Sequence, residues 1–101
     1  MPTPLTHEEF AKHLHTSFLI RLDEANSVQL ELIEVSEFLE SPQQTRFSIM
    51  FRGPGELMLP QGLRRFESEQ MGEFDLFIVP LSKDEKGVCY EAVFNRMRPK
   101  E

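Results

Sequence analysis

From Thr16 to Asn95 the apolar residues return at every second position in short runs, and that period decides the class of fold. Phe18, Ile20 and Leu22 alternate in Thr16–Leu22, Phe47, Ile49 and Phe51 in Arg46–Arg52, and Val88, Tyr90, Ala92 and Phe94 in Val88–Asn95. Each run is a strand with one face to keep from water. Leu63–Glu69 and Glu73–Leu81 read as a hairpin whose loop, Gln70-Met71-Gly72, suits a type I turn followed by glycine in the left-handed region. That loop sets Glu69 opposite Glu73 and Glu67 opposite Asp75, with Phe66, Ser68, Phe74 and Leu76 facing inward.

Val28–Leu39 fits two templates. Val28, Leu32, Val35 and Leu39 share a helical face, whereas Val28, Leu30 and Leu32 alternate as in a strand. The β-branched residues, and the need of the preceding run for a partner, favour a strand with a bulge near Leu32–Ile33. Ahead of these runs the period is helical over about residues 7–14. Thr6 is placed as N-cap, Glu9 as its capping-box partner, Leu5 and Phe10 as a hydrophobic staple, and Phe10 and Leu14 on one docking face. One short N-terminal α-helix and six strands predict a mainly β domain, a small six-stranded antiparallel barrel or sandwich. Its 101 residues suit a single domain, β-rich over 16–95, with a basic flexible tail at 96–101 carrying Arg96, Arg98 and Lys100.

Charge and composition narrow the partners. Seventeen acidic against eleven basic side chains give a net charge of −6, which repels phosphate backbones and argues against nucleic acid. The longest apolar run, Leu76–Leu81, falls far short of the roughly 20 residues that a bilayer needs. The N-terminal MPTPLTHEEF lacks the basic and apolar regions of a signal peptide, and the lone Cys89 suits a reducing compartment. The expected location is the cytoplasm, away from membranes.

No catalytic or cofactor motif is present: GxSxG, the P-loop and a strand-to-helix GxGxxG are all missing. HEEFAKH is not a zinc-protease HExxH, because its two histidines are six apart and do not meet on a helical face. His7, His13 and His15 therefore read as a solvated helix end in preference to a metal site. Cys89 alternates away from Tyr90 and Phe94 with no local base to activate it, and reads as a structural thiol. The expected hairpin gathers Glu67, Glu69, Glu73 and Asp75 into one patch, which Arg65 or Arg64 must neutralise unless a hard cation does. These four are weak candidates for a calcium-type site, and a solvated acidic face outweighs it. No catalytic residue and no cofactor is assigned.

FRGPGELMLPQGLRRFE, Phe51–Glu67, poses the choice between a ligand-cradling glycine loop and a corner. Pro54 and Pro60 remove backbone donors that an anion nest would use, so the glycines serve to redirect the strand. Pro54 and Glu56 are then its exposed candidates for protein contact.

Phe51, Gly53 and Pro54, LPQG at Leu59–Gly62, Phe66-Glu67, Gly72, LFIVP at Leu76–Pro80 and YEAVFN at Tyr90–Asn95, with THEEF at Thr6–Phe10, resemble a small bacterial family, domain of unknown function 6916. The family pattern has an aromatic residue after LPQG and a His-Pro pair before the hairpin glycine. Leu63-Arg64-Arg65 and Ser68-Glu69 stand there instead, so roles at those positions do not transfer. The resemblance implies a mostly-β protein without assigned activity, cofactor or catalytic residues, and a link to phage-tail-like or fibre assemblies. The expected function is a non-enzymatic protein-interaction or assembly module. The alternative is a small-ligand or cation-binding barrel with a cavity inside. An enzyme comes third, and requires Cys89 or a carboxylate to meet His13 or His15.

Overall fold

A computed structural model describes residues 6–97, with side chains to residue 95. The expected Leu5–Phe10 staple, through Leu5, and residues 98–101 of the expected tail lie outside the described residues. Helix α1 (His7–Lys12) starts at the expected N-cap: Thr6 Oγ1 accepts the Glu9 N–H at 3.1 Å, with Glu8 and Glu9 in the first turn, while the Glu9 carboxylate accepts from Lys12 Nζ at 3.5 Å. It ends two residues before the expected limit. The Thr16 hydroxyl donates to the His13 carbonyl at 2.7 Å, and the N–H of His15, at φ 69°, donates to the Leu32 carbonyl at 2.7 Å. The chain has already turned to join its first strand there, and Leu14 is left 38% exposed, off the docking face it was expected to share with Phe10.

The strands are β1 (Ser17–Arg21), β2 (Ser27–Val35), β3 (Leu39–Glu40), β4 (Gln44–Gly53), β5 (Gly62–Ser68), β6 (Gly72–Asp84) and β7 (Gly87–Met97). All pair antiparallel, and the sequence β1–β5–β6–β7–β4–β2 closes back on β1. The result is a closed six-stranded barrel, with the two-residue β3 added beside β4. Val28–Val35 is strand, not helix, and its register slips between Leu32 and Glu34, where the alternation breaks. A second interruption follows at Ser36, whose hydroxyl accepts the Ser48 N–H at 2.8 Å in place of a backbone carbonyl. β7 continues through Arg96 and Met97, which pair with Thr45 and Gln44, so two positions given to the tail belong to the sheet.

Barrel strands alternate interior and exterior residues, and here the interior is filled. Phe18, Phe51, Phe66 and Phe74 form a ring cluster with centroid separations of 5.0–6.4 Å, packed with Ile20, Leu30, Leu32, Ile49, Ile78, Val88 and Tyr90. At one end of the β4–β7 ladder Phe10 of α1 enters, touching Phe47, Phe74 and Phe94. Toward the other end Leu59, from the β4–β5 connection, is buried in the same core. The Tyr90 hydroxyl holds it there, accepting the Leu59 N–H at 2.8 Å and donating to the Leu57 carbonyl at 3.3 Å. Tyr90→Phe leaves a buried N–H without a partner and is expected to cost about 1–2 kcal/mol in chemical denaturation. A loss below a few tenths would mean that the hydroxyl does not anchor the connection.

Pro80 and Gly53 sit where their chemistry is tolerated. β6 has outrun β5 at Pro80, beyond the Gly62–Ile78 pair, and a register shift follows immediately between Pro80 and Ser82. Edges and bulges are the places where a sheet accepts a residue without an N–H. Gly53 lies against Leu30, whose side chain occupies the space a Cβ would need.

Candidate functional site

The outer face of β1, β5 and β6 carries the acidic patch, in a register one step from the expected one. Glu67 stands opposite Glu73, Arg65 opposite Asp75 and Ser68 opposite Gly72. The turn is Glu69-Gln70-Met71, because Ser68 Oγ accepts the N–H groups of Gln70 and Met71 at 3.2 and 3.1 Å, and the Met71 side chain is buried. Gly72 takes the left-handed conformation, φ 79°, just after the turn. Moving the loop by one residue shifts each cross-strand partner by two, so the faces survive and Phe66 and Phe74 still point inward. The correction removes Glu69 from the ladder and puts a cation among the carboxylates.

Arg65 Nε donates to Asp75 Oδ1 at 2.6 Å and its Nη1 to Glu73 Oε1 at 3.3 Å. Arg21 of β1, which the sequence reading did not single out, donates from Nε and Nη2 to the two oxygens of Glu67 at 3.0 and 3.3 Å. Two guanidiniums thus lie among three carboxylates. The hydrogen bond from Arg21 holds the Glu67 carboxyl below the ordinary glutamate range, and Arg21 and Arg65 are raised by the acids they bind. Arg64, the other suggested neutraliser, lies on the opposite face of β5 and donates to the Pro60 carbonyl at 3.0 Å. Among the described residues no group of three or more His, Cys, Asp or Glu is arranged to hold a metal ion.

The histidines diverge. His7 Nε2 lies 2.8 Å from the Ser36 carbonyl at the strand interruption, with its ring against Phe38 and Phe47. His13 Nδ1 lies 2.8 Å from the Glu9 carbonyl. A carbonyl only accepts, so both nitrogens carry hydrogen. His15 Nδ1 lies 3.4 Å from Glu31. Cys89 is buried in the β7 ladder, with Arg52 and Ser82 as its cross-strand neighbours. Neither His13 nor His15 is hydrogen-bonded to Cys89 or to the acidic patch.

The β4–β5 connection is fixed at Leu59, and the residues around that anchor face solvent. Pro54, Glu56 and Pro60 are exposed, Leu57 is 40% and Met58 48% exposed. Leu63 and Phe77 stand opposite each other on the outer face of β5 and β6, 66% and 54% exposed. Their outward parity was legible in the hairpin pattern, but the Leu57–Leu59 arrangement was not, because it depends on a hydroxyl 31 residues beyond Leu59.

No helix among the described residues is long and apolar enough to cross a membrane. No curated protein and no solved structure matches the chain. A family model described as Domain of unknown function (DUF6916) matches residues 5–94.

Proposed function

We propose, for a chain that belongs to the DUF6916 family by a match spanning most of its length, the role of a non-enzymatic protein-interaction or assembly module. The observation that carries this reading is the apolar display around a fixed anchor. Leu57 and Met58 are held outward on a connection pinned by Tyr90, and Leu63 and Phe77 stand exposed as a cross-strand pair. A pre-positioned loop loses little entropy on docking, so its exposed side chains convert contact into affinity efficiently. Pro54 and Glu56 lie on this same connection. Assembly of the phage-tail-like or fibre kind is the finer form of the proposal, with the cytoplasm as the compartment in which the free Cys89 stays reduced.

The core weighs against the alternative of a ligand-binding barrel, because Phe10 and Leu59 are inserted where a cavity would have to lie. The separate bonds of the three histidines weigh against an enzyme that uses Cys89.

The test is affinity capture from the host lysate with the wild type and with a Met58→Ser, Phe77→Ser double variant. Both positions are surface sites, so stability should change by only about 0.5 kcal/mol per site. A specific partner that binds the wild type should bind the variant at least about tenfold more weakly. A wild type that is monomeric in dilute solution and retains no protein would overturn the proposal.

A further inference from the structure

The barrel is closed unevenly. The β4–β7 ladder joins ten residue pairs and β5–β6 seven, whereas β1 and β5 meet only at Leu19–Glu67 and Ile20–Phe66. In an antiparallel ladder alternate residues turn their N–H and C=O toward a given neighbour. The Leu22 N–H donates to the Asn26 carbonyl at 2.8 Å and the Leu32 N–H to the Thr16 carbonyl at 3.1 Å, so the even-numbered residues of this segment face β2. Ser17, Leu19 and Arg21 are left to face β5, and the two paired positions, Leu19–Glu67 and Ile20–Phe66, engage only the Leu19–Arg21 end of them. The counterpart of Ser17 would be Glu69, which has left the strand for the turn. Arg21 comes across from Arg65, a second cation, and the pairing ends there. A shallow groove lined by Ser17, Leu19, Glu67, Ser68 and Glu69 marks the place where the strands part.

Across this thin seam runs one ion pair among the described residues, the two-pronged contact of Arg21 on β1 with Glu67 on β5. We propose that the β1–β5 seam is where the barrel opens, and that Arg21–Glu67 is its latch. Opening separates Phe18 and Ile20 from Phe66, all buried in the closed form, and leaves β1 and β5 as free strand edges of a curved sheet. The other five ladders stay paired. Glu67 faces Arg21 from β1, has Arg65 beside it on β5, Glu73 opposite on β6, Glu69 from the turn, and the uncharged Gln29 from β2 across the groove. Its folded pKa is depressed, so the latch is complete above the ordinary glutamate value of about 4.3 and is lost as pH falls through the lower folded value. Acid therefore favours the open form.

Amide hydrogen exchange on the full chain near neutral pH tests this. The Leu19 and Glu67 amides are expected to exchange at least about tenfold faster than those in the middle of the β4–β7 ladder. Glu67→Gln and Arg21→Gln should each speed the seam amides a further two- to fivefold or so, leave the β4–β7 amides unchanged, and add nothing when combined. Glu73→Gln removes a charge from the same face while keeping both hydrogen bonds of the latch, and should leave the seam about as slow as in the wild type. Equal exchange in the two ladders of the wild type would overturn the proposal. So would a Glu67→Gln variant that accelerates both ladders alike, or a Glu73→Gln variant that opens the seam as much as Glu67→Gln does.

Discussion

Phe10→Ala should remove about 3–5 kcal/mol of stability and lower the midpoint of thermal unfolding by at least about 12 °C. Phe10 is fully buried, with ring centroids 5.4 Å from Phe94, 5.9 Å from Phe74 and 6.4 Å from Phe47. It is the only buried residue of α1, and a six-residue helix does not persist alone in water, so the helix and the closure of that end of the barrel depend on the same ring. Alanine leaves a space bounded by three phenylalanines that belong to different strands and cannot collapse into it without breaking their ladders. Phe10→Leu, which keeps most of the volume, should lose less than half as much. Urea unfolding of the two variants measures both values. A loss below about 1 kcal/mol for alanine would mean that the helix is an ornament on a barrel that closes without it.

Gly87→Ala is expected to cost about 2–4 kcal/mol, although it adds a single methyl group. Gly87 has φ 130°, where side chains are strongly disfavoured, and an added Cβ would run into the Gly53 carbonyl across the β4–β7 ladder. That carbonyl has little freedom to retreat, since Gly53 is held in the β4–β7 ladder opposite Val88. Gly72 provides the contrast: its φ is 79°, and an added Cβ would find nothing within 4 Å. Gly72→Asn should therefore cost less than about 1 kcal/mol, because asparagine tolerates the left-handed region. Denaturation midpoints showing the two glycines equally sensitive would remove the collision as the cause.

The strands themselves were legible because alternation is a local property of the chain. The strand identity of Val28–Val35 and its bulge after Leu32 could be read from the point where the apolar period slips. The one-residue error in the β5–β6 hairpin arose because turn chemistry around Gly72 fits two placements of the loop. The choice was made by burial of Met71 and by the Ser68 hydroxyl, neither of which the local pattern weighs. A barrel was one of the two expected architectures, but which strands close it was beyond reach for a different reason. β1 and β5 are separated by three strands in the chain, and the Arg21–Glu67 contact joins residues 46 apart. Glu67, Glu73 and Asp75 share the expected face while Glu69 does not, and the character of the patch reversed when the register brought Arg65 opposite Asp75 and the fold delivered Arg21.

The anchor of the β4–β5 connection is also the only tyrosine of a chain that contains no tryptophan. To the long-wavelength side of its nine phenylalanines, its near-ultraviolet absorption and emission therefore come from one phenol, and that phenol is hydrogen-bonded to the segment proposed to meet a partner. Docking or release of this connection would be written directly into the protein's own fluorescence, with no label attached and no second chromophore of its kind to disentangle.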